Sequence, residues 1–229
     1  MRVFAPWLFF MVFICFVLNV NALEENFCPF FVEIRNTPKG LFKSTGAKEG
    51  MVDVLKCTII DGDFTISMIN DGNHTNENFP VFQYLREITG ALLIYGAKGL
   101  TNLNHIFPNL RIIGGQTLIL NYALVIYQND DFRFLGLDKL TIIRNGGVRI
   151  TDNPKLCFAR SINWESILIG KIRDVIIDSS GSSAVFTDDA QEIQSCNDEH
   201  GCKVNNQEKC HSFNGNLSCW NSTTCQTCM

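Results

Sequence analysis

A degenerate repeat from Cys57 to about Ile177 constrains the fold of this chain more than any other feature. Each unit places an isoleucine two or three residues before a glycine and continues as a strand-like alternation of apolar and polar residues. The anchor isoleucines are 28, 25 and 30 residues apart: Ile60, Ile88, Ile113 and Ile143. Repeats of this length built from short strands predict a β-solenoid, in which each coil buries its apolar side against the next. A sandwich of unrelated strands is the alternative, but it gives no reason for the repeated motifs.

The alternation within the strands predicts which side chains point inward. Successive side chains of a strand point to opposite faces, so the first two units should bury Phe64, Ile66, Leu92 and Ile94 on one side. Glycines at the corners of the coils permit the tight bends between strands.

The ends of a solenoid must be covered, and the flanking sequence offers a cap at each end. Before the repeat, Glu33–Thr45 is expected to form a helix or loop. After it, the i, i+3 spacing of apolar residues in Ser161–Leu168 predicts a helix with Ser161 as its N-cap. The Ser-rich segment Asp178–Asp189 is interpreted as a loop, and the stretch from Cys196 onward has too few large apolar residues to form its own core.

The N-terminus has the pattern of a secretory signal peptide over residues 1–22. Arg2 precedes an apolar run, Trp7–Val20, and the small residue Ala22 marks the cleavage site. The run is shorter than the roughly 20 residues that a membrane span needs, so a retained anchor is the weaker interpretation. The mature chain is therefore expected to be secreted and extracellular.

Cysteine usage agrees with an oxidising, extracellular compartment. The sequence has ten cysteines; Cys15 lies in the signal peptide, and six of the others crowd into residues 196–228. Such density in a secreted chain predicts a disulfide framework. Three N-glycosylation sequons fit the same compartment, at Asn73, Asn216 and Asn221.

Charge and motifs argue against other function classes. The formal net charge is −4 and no Lys/Arg cluster occurs, which disfavours nucleic-acid binding. No catalytic signature is present, and the Cys225–Cys228 pair lacks the βαβ context of a redox motif. Secretory oxidation favours disulfides over a zinc site, whose ligands would be Cys202, Cys210, His211 and Cys219. The sequence thus predicts a binding domain without enzyme activity, cofactor or metal.

Several motifs resemble the receptor L domain of insulin and epidermal-growth-factor receptors, most closely the first L domain of insulin-type receptors. They are Phe107–Gly114, Asn121–Ile126, Val148–Ile150 and Asn153–Cys157, with Cys28–Pro29 and Cys57–Gly62 before them and Cys219–Gln226 in the tail. The resemblance implies a mainly β fold. A right-handed β-helix (solenoid) L domain with capping helices would span residues 23–195. A small disulfide-rich module would follow, with residues 196–229 as the start of a truncated, furin-like cysteine-rich region.

In that family this region binds an insulin-like hormone on the flat face of a sheet. Carried over position by position, the resemblance implies a set of ligand-binding residues: Glu33, Arg35, Asn36, Thr65, Ser67, Met68, Tyr95, Ile119, Leu120, Asn121, Tyr122, Val125 and Gln128. Ile119 and Leu120 replace two phenylalanines of the family and Gly96 replaces an arginine, so the aromatic surface is reduced. Structural alternatives remain, with Asn121 as a ladder asparagine that satisfies backbone groups, and Tyr122 and Val125 as packing residues.

The resemblance also implies a disulfide pairing: Cys28–Cys57, Cys157–Cys196, Cys202–Cys219 and Cys210–Cys225. Cys228 is left over in this scheme and is a candidate for linking two chains into a dimer.

Three functional hypotheses follow. The preferred one is a secreted protein that binds an insulin-like peptide and, as a decoy, limits its access to the full receptor. The second is a fragment or short isoform of a membrane insulin-receptor-like tyrosine kinase. The third is a structural or adhesive L-domain protein without a hormone ligand.

Overall fold

The computed structural model of the chain describes residues 25–28, 31–36, 43–44, 54–70, 74–178, 212–213, 216–221 and 223–226. In these residues the structure is mainly β and confirms the solenoid. In chain order the strands are β1 (Phe27–Cys28), β2 (Val32–Ile34), β3 (Lys43–Ser44), β4 (Ile59–Ile60), β5 (Phe64–Ile69), β6 (Glu87–Ile88), β7 (Leu92–Ala97), β8 (Ile112–Ile113), β9 (Tyr122–Tyr127), β10 (Ile142–Ile143), β11 (Gly147–Thr151), β12 (Val175–Asp178), β13 (Ser212–Phe213) and β14 (Asn216–Leu217).

The coils of the solenoid contribute strands to two sheets. The smaller sheet has five parallel strands in the order β1-β4-β6-β8-β10. The larger sheet has seven strands in the order β12-β11-β9-β7-β5-β2-β3, all parallel except the antiparallel pair β2–β3. Strands β13 and β14 form a separate antiparallel hairpin in the tail.

The anchor isoleucines of the repeat stack directly on one another in the smaller sheet. Ile60 pairs with Ile88, Ile88 with Ile113 and Ile113 with Ile143, and Cys28 extends the same ladder at its first strand. All five side chains are fully buried. Each spacing in the sequence therefore corresponds to one coil.

The inner side of the larger sheet forms the core. The predicted inward side chains are all fully buried: Phe64, Ile66, Leu92 and Ile94. The ring of Phe64 meets the rings of Phe82 and Phe107 edge to face, with both centroid distances at 4.8 Å. Burial of each such side chain contributes roughly 1.5–3 kcal/mol, so this aromatic cluster is a main stabilising element of the coils.

Two buried asparagines, Asn129 and Asn153, lie beside the core at one corner of the later coils. The side chain of Asn129 donates to the carbonyls of Ile94 and Tyr127, at 3.3 and 3.0 Å, and accepts the amide of Ala97 at 2.9 Å. The side chain of Asn153 repeats this pattern one coil later. These amides satisfy backbone groups that would otherwise be buried without partners.

Both caps differ from the sequence expectation. Glu33 and Ile34 lie in β2, and Lys43 and Ser44 lie in β3, so the predicted helix or loop over Glu33–Thr45 is wrong at these four positions. Residues 35–36 lie outside any helix or strand, as a loop would. An antiparallel strand pair covers this edge. The predicted C-terminal cap is helical, with a 3₁₀ turn at Ala159–Ser161 and a short α-helix, α1, at Trp164–Ile167. Its N-cap, however, is Asn163 and not Ser161, because the Asn163 side chain accepts the Ser166 amide at 3.2 Å. Further 3₁₀ turns occur at Val54–Lys56 and Asn76–Asn78.

The described tail packs on the C-terminal cap. Trp220 is buried and meets Trp164 edge to face, with a centroid distance of 6.2 Å. Ser161 does not cap the helix. Its hydroxyl accepts a hydrogen bond from the backbone amide of Cys219 at 3.1 Å and donates one to the carbonyl of Cys219 at 3.0 Å. The side chain of Gln226 accepts the Asn163 amide at 2.8 Å. The described part of the tail thus packs against the core of the solenoid.

A disulfide joins Cys28 to Cys57, whose Cα atoms are 5.9 Å apart. Three further described cysteines, Cys157, Cys219 and Cys225, are also disulfide-bonded. The partners that the resemblance implies for them, Cys196, Cys202 and Cys210, lie outside the described residues, as do Cys228 and the segment 179–189. No helix in the described ranges is long and apolar enough to cross a membrane.

Candidate functional site

The outward-facing residues of the larger sheet form two rows across its strands, which we call the outer face. Strand pairing aligns one row from β2 to β12: Glu33, Thr65, Leu93, Val125, Arg149 and Ile176. The second row runs from β5 to β12: Ser67, Tyr95, Tyr127, Thr151 and Asp178. Because the parallel strands are in register, residues far apart in sequence become neighbours on one surface.

A stacked pair of tyrosines stands at the middle of the outer face. Tyr95 lies on β7, the central strand of the seven, and Tyr127 lies beside it on β9. Their ring centroids are 5.5 Å apart and their planes differ by 9°. Two rings held in this way give an apolar strip with a hydroxyl on each ring.

Charged groups surround this aromatic strip. The guanidinium of Arg149 lies over the ring of Tyr122, 5.8 Å from its centroid. Partial burial, followed by the adjacent carboxylate of Asp152, raises the pKa of Tyr127 above its ordinary value of 10.0. The phenol of Tyr127 interacts with the side chain of Asp152 through a hydrogen bond, which also favours the neutral form.

A tight turn projects one large apolar side chain beside the outer face. The backbone groups of Ile119 and Tyr122 pair with each other in both directions at 2.9 Å, which closes a two-residue turn. Leu120 and Asn121 at its tip have φ angles of 50° and 75°, as the favoured hairpin turns require. Leu120 is 79% exposed. Asn121 is also exposed, so the alternative that made it a ladder asparagine is wrong, and Asn129 and Asn153 hold that role.

A groove borders the outer face where the strands end. Four successive coils place a left-handed residue there: Met68, Gly96, Gln128 and Asp152, with φ between 53° and 59°. These residues line a groove of about 590 Å³ together with Tyr95 and Asp130. Met68 is 62% exposed, although its side chain is large and apolar. Sparsely populated backbone conformations of this kind concentrate at functional surfaces.

The structure brings most of the proposed ligand-binding residues onto or beside the outer face. Glu33, Thr65, Ser67, Tyr95 and Val125 belong to its two rows. Met68 and Gln128 line the groove, and Ile119–Tyr122 form the neighbouring turn. Arg35 and Asn36 follow the end of β2, where Arg35 lies 3.6 Å from Glu33.

These residues differ in how much surface they offer. Ser67 and Val125 are each 6% exposed and Tyr122 is 9% exposed, so they form the floor of the surface. Tyr95, Thr65 and Glu33 are partly exposed, and Met68 and Leu120 are largely exposed. The alternative that Tyr122 and Val125 are packing residues therefore agrees with their burial.

Six members of the outer face are absent from the sequence-based set: Leu93, Tyr127, Arg149, Thr151, Ile176 and Asp178. The period-two pattern could have identified Leu93 and Tyr127, because Leu93 precedes Tyr95 by two residues and Tyr127 follows Val125 by two. Only the strand register shows that Tyr127 is the stacking partner of Tyr95.

The remaining sequence-based sites are only partly described. Asn73 lies outside the described residues, Asn216 lies in β14 and Asn221 lies in a turn of the tail. No cluster of three His, Cys, Asp or Glu side chains suited to a metal ion occurs within the described ranges.

Comparison with known proteins connects this fold to one family. The family model of the receptor L domain matches residues 56–168. The insulin-like receptor of Caenorhabditis elegans is 35% identical over 252 aligned positions, which cover 96% of this chain and 13% of that receptor. The insulin-like receptor of Drosophila melanogaster is 37% identical over 184 positions, which cover 75% of this chain and 8% of that receptor. The chain therefore spans a small part of the length of these relatives.

The β-solenoid and the matched residues define a receptor L domain. The chain belongs to the receptor L-domain family, in the group related to insulin receptors.

Proposed function

We propose that the outer face binds an insulin-like peptide and that the chain is a binding domain without enzyme activity. The observation that carries the proposal is the stacked pair Tyr95–Tyr127 at the centre of the larger sheet. Relatives that cover most of this chain are named insulin-like receptors, which supports a peptide of that class as the ligand.

The composition of the outer face fits a protein ligand better than a small molecule. Binding energy at protein interfaces concentrates in a few central aromatic and arginine side chains with flat, packed surroundings. Tyr95 and Tyr127 supply the aromatic centre, and the buried side chains of Ser67 and Val125 supply the flat floor. Exposed Leu120 adds apolar area at one edge.

We further propose that the chain is secreted after removal of residues 1–22 and acts as a decoy for the peptide. The sulfur chemistry of the described residues supports an oxidising compartment, because Cys28, Cys57, Cys157, Cys219 and Cys225 are all disulfide-bonded. In this proposal residues 23–195 form the L domain, and the stretch from 196 to 229 belongs to a cysteine-rich module that packs on it.

The test is a calorimetric titration of the folded, glycosylated chain with insulin-like peptides from the same source. Micromolar binding, about −8 kcal/mol, is expected because one L domain offers a single surface. Tyr84 provides a matched control. It is an exposed tyrosine that precedes β6 of the smaller sheet and does not belong to the outer face. Binding that survives Tyr84→Ala and weakens with Tyr95→Ala would support the outer face. Absence of binding up to about millimolar peptide, which corresponds to a binding free energy near −4 kcal/mol, would contradict the proposal. It would favour a structural L domain.

The decoy role needs a separate measurement. Purified chain added to cells that carry an insulin-like receptor should shift the peptide dose response to higher concentrations. The Tyr95→Ala chain at the same concentration should shift it much less. An unchanged dose response, despite binding in the titration, would reject the decoy role and leave peptide binding intact.

A further inference from the structure

A second groove lies between the solenoid and the tail, away from the outer face. Its volume is about 510 Å³. From the solenoid it is lined by residues of the connections that lead from the larger sheet back to the smaller one: Asn76, Glu77, Asn102, Asn104, His105 and Phe134. From the tail it is lined by Asn221 and Thr223. The hormone-binding proposal makes no use of this groove.

The side chain of Asn221 is held in one orientation at the edge of this groove. Its oxygen Oδ1 accepts the backbone amides of Thr223 and Thr224, both at 2.8 Å, and the hydroxyl of Thr223 at 3.0 Å. No hydrogen bond found among the described residues uses its nitrogen Nδ2. With Oδ1 held by the turn, Nδ2 lies on the opposite edge of the planar amide group.

Asn221 is also the first residue of the sequon Asn221-Ser222-Thr223. In N-glycosylation, Nδ2 forms a bond to the anomeric carbon of an oligosaccharide and loses one proton. The bond between that carbon and the pyrophosphate of the lipid-linked donor breaks, and the lipid pyrophosphate leaves. The nitrogen that would carry the sugar is thus the atom that the turn leaves unused.

We propose that Asn221 carries an N-linked glycan whose first N-acetylglucosamine residues lie in this groove and join the tail to the solenoid. The side chains that line the groove support a sugar as its occupant. Amide side chains both donate and accept hydrogen bonds and the carboxylate of Glu77 accepts them, which suits the hydroxyl and acetamido groups of a sugar. The ring of Phe134 offers an apolar surface for the C–H face of a pyranose.

The polar lining is already fixed in place, which lowers the entropy that binding of the glycan would cost. The Nδ2 of Asn76 donates to Asn102 at 3.4 Å, and the Nδ2 of Asn104 donates to Asp138 at 3.2 Å. The Nε2 of His105 lies 3.2 Å from the carbonyl oxygen of Phe79. Among the residues that the structure describes, no hydrogen bond uses the oxygen Oδ1 of Asn104, which can accept one from the sugar.

A glycan in this position has a structural consequence. The tail from 218 to 226 is attached to the solenoid through Trp220 and Gln226 at the C-terminal cap. A sugar between Asn221 and Phe134 would add a second attachment on another side of the same short segment. The position of the cysteine-rich tail relative to the L domain would then depend on glycosylation.

The experiment uses the full chain secreted from eukaryotic cells, with Asn221→Asp as the central variant. Aspartate removes the sequon but keeps an oxygen at the position of Oδ1, so the turn retains its acceptor. Glycopeptide mass spectrometry should show Asn221 occupied in the parent chain. Hydrogen–deuterium exchange over residues 218–226 should be faster in Asn221→Asp, and its melting temperature should fall by about 2–4 °C, the shift that a loss of about 1 kcal/mol gives at this chain length.

A double-mutant cycle separates contact from general destabilisation. Phe134→Ala should lower the melting temperature in the glycosylated chain and have a smaller effect in Asn221→Asp, because the two changes remove one shared contact. Asn73→Gln, which removes a different sequon, should leave exchange at 218–226 unchanged. An unoccupied Asn221 would overturn the proposal. So would an occupied site at which the two substitutions have fully additive effects, since the glycan would then point into solvent.

Discussion

The ring of Tyr95 lies nearly parallel to the ring of Tyr127, with 5.5 Å between their centroids and 9° between their planes. The two residues are 32 positions apart in the sequence and pair directly in neighbouring strands. Each ring restricts the rotamers of the other, so the outer face presents a preorganised aromatic strip. Preorganisation of this kind lowers the entropy that a bound peptide would otherwise cost.

Removal of either ring should weaken peptide binding. We expect Tyr95→Ala to reduce affinity by about 30-fold or more, or roughly 2 kcal/mol, because the truncation removes both a contact surface and the support for Tyr127. Tyr127→Ala should have a similar effect, and the double variant should lose less than the sum. Calorimetric titration measures all three, with Tyr84→Ala as the matched control. Wild-type affinity in Tyr95→Ala would place the binding site elsewhere.

The ionisation of Tyr127 provides a second prediction. Its pKa is raised by partial burial and by the carboxylate of Asp152, so the neutral phenol is favoured in the folded chain. This contribution to stability is complete below the pKa of an unfolded tyrosine, about 10, and is lost as the pH rises through the higher folded pKa. Asp152→Asn should lower the pKa of Tyr127, and Tyr127→Phe should remove its contribution from the titration curve.

Ultraviolet absorbance of tyrosinate as a function of pH measures this effect, since the sequence has only four tyrosines. Asp130→Asn is the control, because Asp130 is an acid of the same groove that does not contribute to the shift. A titration curve that is identical in the parent chain and in Asp152→Asn would contradict the arrangement of Tyr127 and Asp152.

The disulfide between Cys28 and Cys57 should stabilise the first coil. The bond closes a loop with a sequence separation of 29 residues, and removal of a native disulfide from a secreted domain typically costs about 2–5 kcal/mol. The double variant Cys28→Ala/Cys57→Ala should therefore unfold at lower denaturant concentration, as followed by circular dichroism. Cys228→Ser, at the cysteine left over in the implied pairing, should leave the unfolding midpoint unchanged and should abolish any disulfide-linked dimer seen on a non-reducing gel. Equal midpoints for all three chains would show that the first coil does not depend on the bond.

The buried amide of Asn129 supplies a further test of the core. Asn129→Leu keeps a similar size but leaves the amide of Ala97 and the carbonyl of Ile94 without their partner. Each buried group left unpaired costs about 1–3 kcal/mol, so urea unfolding should show a clear loss of stability. Asn109→Leu is the control, because its hydrogen bond to Gln83 is exposed and its loss should cost less than about 0.5 kcal/mol. Equal losses in the two variants would mean that the asparagine ladder is not structurally important.

Much of the coil architecture could be predicted from local pattern alone. The Ile-Gly motif occurs once per coil, and the stacked ladder of Ile60, Ile88, Ile113 and Ile143 shows that this spacing is the coil itself. The inward residues of the larger sheet followed from period-two alternation, because side-chain direction in a strand depends only on its neighbours. The position of a cap near Trp164 was also predictable, although the N-cap residue was not, because Ser161 is used by the tail.

The candidate site depends on contacts between residues that are far apart in the sequence, and local sequence patterns do not determine these contacts. Between β7 and β9 the spacing grows to 32 residues, since the turn at Leu120 and Asn121 lies between Ile113 and the strand that follows it. Only the register across that insertion determines that Tyr127 stacks on Tyr95. The asparagine ladder and the attachment of the tail through Trp220 are decided in the same way. The ladder joins groups from separate coils, and Trp220 joins the tail to the C-terminal cap. Local sequence determines which way a side chain points within its strand, whereas its neighbours on the finished surface are decided by how the coils stack.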